Sequence, residues 1–172
     1  TPPLGVAYLA SYLTKHGYPV QVIDALGENP EQTVSFRKGS FLRGLTFKEI
    51  IDRIDSDSRL VGISNLFTFA YPAVEELYQE IHRQLPDKKI ILGGPHPSAL
   101  YEEILLNHPE VSYVFRGKEG EQDMLKLVMY FDGKLKFEEL TGIASRNERG
   151  DVIALKDTVR IENLEKKICR FP

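Results

Sequence analysis

The sequence has little of several features that would identify a function at once. It holds a single cysteine, Cys169, in 172 residues, so a disulfide within the chain is excluded. A CxxC zinc site is excluded too, and so is an iron–sulfur cluster bound by this chain alone, because a cluster needs three or four thiolates. No apolar run approaches the roughly 20 residues of a membrane span, and the first residues lack the pattern of a secretory signal. One cysteine fits a cytoplasmic location.

Charge and motif content exclude further classes. The net charge of −3 argues against a dedicated nucleic-acid surface, which would show a basic excess. No strand leads into GxGxxG and no GK[ST] follows a glycine loop, so the dinucleotide and Walker fingerprints are absent. Ser/His/Asp, HExxH and paired-carboxylate patterns do not stand out either. The chain therefore looks built to hold a ligand rather than to carry a complete catalytic apparatus.

What is present is an alternation of short apolar strands and amphipathic helices. The predicted strands are residues 20–24, 60–64, 89–92 and 111–115, with helices before, between and after them. This order predicts a Rossmann-like (flavodoxin-like) α/β fold, a doubly wound parallel sheet covered on both faces. Residues 142–145 and 152–155 flank a turn at 147–150 and predict a C-terminal β-hairpin.

Several local features set expected boundaries. Thr1 leads directly into a helix that ends at Gly17, whereas such folds open with a strand, so a first strand is expected upstream. Residues 27–44 have little periodicity and are expected to form a long loop. Thr46 and Glu49 predict a capping box, and Ser98 is expected to cap a helix that runs to about residue 107. The expected division is an α/β domain at 1–141, then a hairpin and linker at 142–172.

In open α/β sheets the ligand crevice lies outside the carboxyl ends of the strands. Gly93 and Gly94 directly follow a predicted strand, which favours either a tight turn with positive φ or the close approach of a ligand to bare backbone. His96 lies just beyond them, and a lone loop histidine is more often hydrogen-bonded than an acid–base. Ser64 and Thr68 offer hydroxyls that either cap a helix or bind a ligand.

Nine segments of the chain carry a family resemblance. In chain order they are residues 2–10 (PPLGVAYLA), 22–25 (VIDA), 44–46 (GLT), 61–64 (VGIS), 92–98 (LGGPHPS), 113–117 (YVFRG), 119–121 (EGE), 142–144 (GIA) and 160–164 (RIENL). Their order and spacing resemble the cobalamin-binding domain of cobalamin-dependent radical S-adenosylmethionine enzymes. Each segment alone is weakly specific, but the ordered set covers nearly the whole chain. Lys118 is one residue more than the family's RGEGE pattern has.

The resemblance implies a cofactor and a set of residues to hold it. Cobalamin would lie over the strand ends, with its nucleotide tail entering the sheet beside the two glycines. The family's DxHxxG motif for a cobalt-ligating histidine is absent, so no metal ligand is assigned. The cofactor-binding residues implied by the resemblance are Ser64, Asn65, Thr68, Gly93, Gly94, Pro95, His96, Arg116, Gly117, Glu119 and Glu121.

The resemblance also implies a larger enzyme. A radical domain with a CxxxCxxC motif would follow residue 172, bind a 4Fe-4S cluster and S-adenosylmethionine, and contribute most contacts to a small-molecule substrate. The expected chemistry is methyl transfer or a related reaction at carbon, with no activity expected from this chain alone. One alternative is a flavodoxin-like module that keeps the fold without binding cobalamin. A second is a stand-alone enzyme that uses His96 as acid–base.

Overall fold

The computed structural model of the chain describes residues 3–37, 39–117 and 119–157. Its helices and strands follow one another in the order α1 (Leu4–Lys15), α2 (Ala25–Glu28), β1 (Thr33–Ser35), β2 (Phe41–Arg43), α3 (Phe47–Arg53), β3 (Leu60–Ser64), α4 (Tyr71–Gln84), β4 (Lys89–Gly93), α5 (Pro95–Ala99), α6 (Tyr101–Asn107), β5 (Val111–Phe115), α7 (Gly120–Phe131), β6 (Ile143–Arg146) and β7 (Val152–Ala154).

One five-stranded sheet organises the fold, in the order β3-β4-β5-β6-β7. Strands β3, β4 and β5 are parallel to one another, and β6 and β7 extend the sheet as an antiparallel hairpin. The carboxyl ends of β3, β4 and β5 therefore lie along one edge. The predicted Rossmann-like α/β fold and its C-terminal hairpin are confirmed.

Helices cover both faces of the sheet, as its alternating side chains require. Ile90 and Leu92 of β4 pack on one face, in a core cluster to which α3, α4 and α6 contribute. Ile91, between them, packs on the other face with Leu13 of α1 and Leu127 of α7. Each of these side chains is almost fully buried. Burial of an aliphatic side chain of this size stabilises a fold by about 1.5–3 kcal/mol.

Two predicted helix boundaries are confirmed in detail. The Thr46 hydroxyl accepts from the Glu49 backbone N–H at 3.1 Å, and the Glu49 carboxylate accepts from the Thr46 N–H at 2.7 Å, which completes the capping box. These bonds hold the pKa of Glu49 below its usual range. Gly17, with φ of +85°, follows the end of α1, and its N–H donates to Thr14.

The predicted strand at residues 20–24 is wrong, because it has no partner. A strand requires a backbone ladder, and within the described residues β3 pairs only with β4. The Gln21 side chain bonds the segment instead to the end of α3 and the residues that follow it. The Gln21 amide donates to the Arg53 carbonyl at 2.7 Å and accepts from the Asp55 N–H at 3.1 Å. A β-branched composition favours a strand only where a neighbouring strand is available.

The expected long loop at residues 27–44 contains regular structure. Helix α2 runs into its start, and β1 and β2 form a separate two-stranded antiparallel sheet. Their turn is closed by the Phe36 N–H, which donates to Ser40, and by the Ser40 N–H, which donates to Arg37. Strands of three residues are too short to show a periodicity, which is why the pattern indicated a loop.

The predicted single helix capped by Ser98 is also wrong. Helix α5 already begins at Pro95, where a missing N–H costs nothing, and a break at Leu100 separates α5 from α6. Ser98 lies inside α5, and its hydroxyl donates to the Phe115 carbonyl at 2.7 Å. It therefore joins the loop after β4 to the last residue of β5.

The hairpin packs as part of the same sheet. Ile143 and Ala144 of β6 are fully buried and belong to the two core clusters. The assignment of residues 142–172 to a linker toward a further domain stays a prediction, and residues 160–164 and Cys169 lie outside the described residues. No helix in the described part of the chain is long and apolar enough to cross a membrane.

Candidate functional site

The carboxyl ends of β3 and β4 lie side by side and are joined by backbone. Ser64, the last residue of β3, is in register with Gly93, the last residue of β4. The Asn65 N–H extends this pairing by donating to the Gly93 carbonyl at 2.8 Å. The predicted site residues that follow these two strands are therefore brought together.

Gly94 is a glycine for reasons internal to the protein. Its φ is +105°, and its ψ of 170° completes a conformation that only glycine adopts readily. A Cβ there would overlap the backbone carbonyl of Asn65. The tight-turn interpretation is thus sufficient for Gly94, which lets the chain pass from β4 into α5.

Gly93 is different, because no contact with the described residues requires a glycine there. Its φ is not positive, and a Cβ would meet only Phe115 Cδ2, at an ordinary 3.9 Å. Ser64, its partner, and Gly62, two residues earlier on the same face of β3, are exposed. A Cβ on Gly62 would lie 3.7 Å from Met124 Cε of α7. Gly62, Ser64 and Gly93 thus line a shallow strand-end groove on the α7 face.

His96 is not a surface loop residue. Its side chain is buried, with 7% exposed, and its ring is 4.4 Å from the ring of Tyr71 between centroids. Nδ1 lies 3.1 Å from Thr68 Oγ1, so the hydroxyl that follows β3 is bonded to the residue that follows β4. Nε2 is buried and has no hydrogen-bond partner within the described residues.

Asn65 is the second buried polar residue at these strand ends, with 2% exposed. Its side-chain amide donates to the Phe67 carbonyl at 3.2 Å, while Oδ1 is buried without a partner in the part of the chain that the structure describes. A buried polar atom left unpaired costs about 1–3 kcal/mol, so such atoms often mark positions that a ligand satisfies.

Two tyrosines, the half-buried Tyr71 and the buried Tyr78, lie next to His96. The Tyr71 and Tyr78 hydroxyls are 3.2 Å apart, and Tyr78 is fully buried. Burial raises the pKa of both phenols. Both hydroxyls are therefore neutral at physiological pH and serve as hydrogen-bonding groups.

The segment after β3 carries an apolar surface that the sequence had not indicated as functional. Residues 65–70, here called the aromatic loop, expose Leu66 at 59%, Phe67 at 59% and Phe69 at 84%. The two phenyl rings stack at 5.3 Å and 13°. The signal was present in the run Leu66-Phe67-Thr68-Phe69, since a loop rarely exposes three large apolar residues without a role.

Arg116, after β5, is engaged by the fold itself. Its guanidinium lies 4.5 Å from the centroid of the Tyr101 ring, and Nη1 donates to the Leu155 carbonyl at 3.3 Å. The same nitrogen is 3.8 Å from Asp157 Oδ1. Arg116 therefore fixes the chain where it leaves β7, through its side-chain contacts with Tyr101, Leu155 and Asp157.

Gly117 makes room for a buried carboxylate. A Cβ on Gly117 or on Gly142 would overlap the Asp123 side chain, which is fully buried in α7. The Thr141 hydroxyl donates to Asp123 Oδ1 at 2.8 Å. Asp123 was not among the residues predicted from the sequence, although its position one residue before Met124 and four before Leu127 puts it on the inward stripe of α7.

The remaining predicted residues lie at helix starts. Pro95 is the exposed first residue of α5, and Glu121 is half-buried in the first turn of α7. Glu119 precedes α7, and its backbone carbonyl accepts from the Gln122 and Asp123 N–H groups. Lys118, the additional residue of the RGEGE-like segment, lies outside the described residues.

The described residues at these strand ends do not form a metal centre. Within residues 3–37, 39–117 and 119–157, no three His, Cys, Asp or Glu side chains are grouped to hold a metal ion. A hollow of about 210 Å³ lies elsewhere, between the β1–β2 hairpin and the starts of α3 and α4. Its Arg37 is paired with Glu75 at 3.7 Å and Glu76 at 3.9 Å, so no free charge there points to a ligand.

Residues 1–126 match the B12 binding domain family. The chain is 31% identical over 156 residues to a cytidylyl-2-hydroxyethylphosphonate methyltransferase of Streptomyces wedmorensis, which covers 88% of this chain and 29% of the methyltransferase. It is also 31% identical over 169 residues to an anaerobic magnesium-protoporphyrin IX monomethyl ester cyclase of Rubrivivax gelatinosus, covering 96% and 28%. The chain thus spans less than a third of these relatives.

Solved structures give the same fold. The cobalamin-dependent S-adenosylmethionine radical enzyme OxsB with aqua-cobalamin bound is similar with a TM-score of 0.73 and 25% identity, over 96% of this chain and 21% of OxsB. The radical S-adenosylmethionine methyltransferase TsrM of Kitasatospora setae, with cobalamin and a [4Fe-4S] cluster bound, is similar with a TM-score of 0.65 and 20% identity, over 92% and 27%.

Proposed function

The chain belongs to the B12-binding domain family, and we propose that it binds cobalamin across the carboxyl ends of β3, β4 and β5. One observation carries the proposal: the family match covers residues 1–126 and so includes all three parallel strands and the loops that follow them. The ligand crevice of an open α/β sheet lies at that edge.

The residues present fit such a group. Gly93 leaves a space that a Cβ would enter without overlapping the protein, beside the exposed Ser64. Asn65 Oδ1 and His96 Nε2 are buried and unpaired within the described residues, so each can hydrogen-bond an amide or hydroxyl of the bound molecule. When bound, cobalamin supplies methyl-group transfer or related chemistry at carbon.

The proposal divides the predicted site residues by role. We propose that Ser64, Asn65, Gly93 and His96 hold the cofactor, with Thr68 beside them. Gly94, Arg116 and Gly117 support the site through the fold, since each has a structural partner: Asn65, Tyr101 and Asp123 respectively. Direct contacts from Pro95, Glu119 and Glu121 stay predictions.

The proposal for the whole protein is a radical S-adenosylmethionine enzyme. This chain would be its cobalamin module, and a further domain would hold a 4Fe-4S cluster and S-adenosylmethionine and contact a small-molecule substrate. The matched relatives include a methyltransferase and a cyclase, which supports methyl transfer or related carbon chemistry without choosing between them. The family match gives no support to the alternative of a module that does not bind cobalamin. A cytoplasmic location stays a prediction.

Titration with hydroxocobalamin tests the proposal. The protein should change the visible spectrum of the cofactor and retain it through gel filtration. Gly93→Val should weaken binding at least tenfold, because its methyl groups fill the strand-end groove, while the fold is retained because the nearest protein atom is 3.9 Å from the Cβ. A protein that binds no cobalamin would contradict the proposal.

Lys89→Val is the control. Lys89 is the exposed first residue of β4, at the opposite end of this strand from Gly93. This variant should bind cobalamin as the unmodified protein does. Equal affinities of the Gly93→Val and Lys89→Val variants would show that the tail does not enter beside Gly93. Gly94 is unsuitable for this test, because any side chain there overlaps Asn65.

A further inference from the structure

The aromatic loop exposes its apolar side chains to solvent, although their burial away from water would be favourable. Phe69 is 84% exposed, and Leu66 and Phe67 are 59% exposed each. Large apolar side chains on a free loop gain free energy by folding back onto the protein surface. Something must therefore hold this loop in its outward conformation beside the strand-end groove.

Few contacts fix the tip of the loop. Its base is held by the Asn65 N–H, which donates to Gly93, and a short turn is closed by the Ala70 N–H, which donates to Phe67. Within the described residues, the bond between Thr68 Oγ1 and His96 Nδ1 is the side-chain hydrogen bond that ties residues 66–70 to another element. The conformation of the tip thus depends on α5.

His96 is well suited to this role. Its ring is packed against Tyr71 and 93% buried, so it cannot swing out to solvent without breaking that contact. Nε2 has no partner in the described part of the chain, and a buried N–H without an acceptor is costlier than a bare lone pair. The favoured tautomer therefore has its proton on Nδ1, which donates to Thr68 Oγ1.

We propose that His96 is a positioning residue that holds the aromatic loop through Thr68, so that Phe67 and Phe69 are ordered before the cofactor arrives. This inference rests on the proposed function, because the ordered loop would form the apolar rim of the cobalamin site. Ordering these side chains in advance removes an entropic cost from binding. Loss of the His96–Thr68 bond should then weaken hydroxocobalamin binding roughly three- to tenfold.

Amide hydrogen exchange of the cofactor-free protein tests the inference directly. His96→Gln places its amide where Nε2 was and loses the bond, whereas His96→Asn keeps a donor at the Nδ1 position. Thr68→Val removes the hydroxyl at an exposed site, and Thr68→Ser keeps it. The Ala70 and Tyr71 amides close the turn. They should exchange about tenfold faster in His96→Gln and in Thr68→Val, and at the unmodified rate in His96→Asn and in Thr68→Ser.

The double variant His96→Gln/Thr68→Val should exchange no faster than either single variant, because both lose the same bond. His82→Gln, an exposed histidine on α4, is the control and should change nothing. Exchange of the β4 amides must stay unchanged, which separates local loosening from general destabilisation. If replacing the buried His96 prevents folding, the comparison of Thr68→Val with Thr68→Ser still tests the inference.

Unchanged exchange in Thr68→Val, or additive effects in the double variant, would overturn the inference. The exchange measurement needs no cofactor, so it stands apart from the proposed function. If the unmodified protein binds no hydroxocobalamin, the proposed function is wrong, and hydrogen exchange alone decides whether His96 orders the loop. If the unmodified protein and Thr68→Val bind hydroxocobalamin equally well, the proposed function holds and the positioning role of His96 is wrong.

Discussion

Gly93 and Gly94 are adjacent glycines, but only at Gly94 does the backbone conformation exclude a side chain. Gly94 has φ of +105° and touches the Asn65 backbone, whereas Gly93 has neither feature. Gly94→Ala should therefore lower the free energy of unfolding by about 1–3 kcal/mol. Gly93→Ala should change it by less than about 1 kcal/mol. Urea unfolding of the two variants measures the difference, and equal losses would contradict this account of the turn.

Tyr78 makes stability depend on pH on the alkaline side. Burial of its hydroxyl, then the bond to Tyr71, raises its pKa above the value of about 10 of an unfolded chain. The unfolded state therefore loses this proton first as pH rises. Its contribution to stability is complete below about pH 10 and is lost as pH rises further. The free energy of unfolding should fall above that pH.

Tyr78→Phe should make this alkaline decline shallower, because phenylalanine cannot ionise. It should also cost about 1 kcal/mol at pH 8 through the lost hydroxyl bond. Some slope should remain, since burial raises the pKa of Tyr71 and Tyr113 as well. Urea unfolding from pH 8 to 10.5 measures the slope, with the exposed Tyr8→Phe as control. Identical slopes in Tyr78→Phe and the unmodified protein would contradict the assignment.

At the scale of elements, Arg146 of β6 joins the hairpin to the helix packed behind it. Its guanidinium donates to four backbone carbonyls at the end of α6 and the start of β5, at 2.5–3.4 Å: those of Leu105, His108, Pro109 and Val111. Burial lowers the pKa of this group. The carbonyls at a helix end have no partner within the helix, so they need such a donor.

Arg146→Met should lower the free energy of unfolding by about 2–4 kcal/mol, because the carbonyls lose a charged donor that several of them share. Arg146→Lys should recover less than half of this lost free energy, because one ammonium group cannot reach all the carbonyls that the planar guanidinium bonds. Arg149→Met, an exposed change in the same hairpin turn, is the control and should be nearly neutral. Urea unfolding is again the measurement, and full recovery by lysine would contradict the shared-fork geometry.

Helices and strands that are determined by adjacent residues could be predicted from the sequence. Those that depend on a contact with a residue distant in sequence could not. The capping box at Thr46 and the apolar strands β4 and β5 are each encoded by a few adjacent residues. Residues 20–24 have strand composition, but a strand exists only where another strand pairs with it. Ser98 has the residue type of a cap, but its hydroxyl is taken by Phe115, 17 residues away.

The same distinction holds for the site. The predicted strands located the strand ends with Ser64, Gly93 and His96, and the family resemblance implied that these residues bind a cofactor. Neither could assign reasons to the two glycines, because the overlap at Gly94 arises from Asn65, which follows β3 and is distant in sequence. Residue patterns also could not show that His96 is buried, because its exposure depends on how α5 packs against Tyr71.

For the whole molecule, the direction in which the described chain leaves the sheet is informative. β7 is antiparallel to β6, and β6 is antiparallel to β5, so β7 ends at the same edge as the three parallel strands. Arg116 holds Leu155 and Asp157 at that edge. A domain continuing from here would start at the carboxyl edge of the parallel strands, the edge that also carries the strand-end groove.

The last prediction concerns that further domain. If this chain is the cobalamin module of a radical enzyme, the gene should encode a CxxxCxxC motif after residue 172. One cysteine in this chain cannot hold a cluster, so the thiolates must come from there. The full-length protein, purified without oxygen, should contain about four iron atoms per chain. Replacing the three motif cysteines by alanine should remove the iron and leave hydroxocobalamin binding intact. A gene without the motif, or a full-length protein without iron, would contradict the radical-enzyme proposal, and cobalamin binding by the module would then serve a different chemistry.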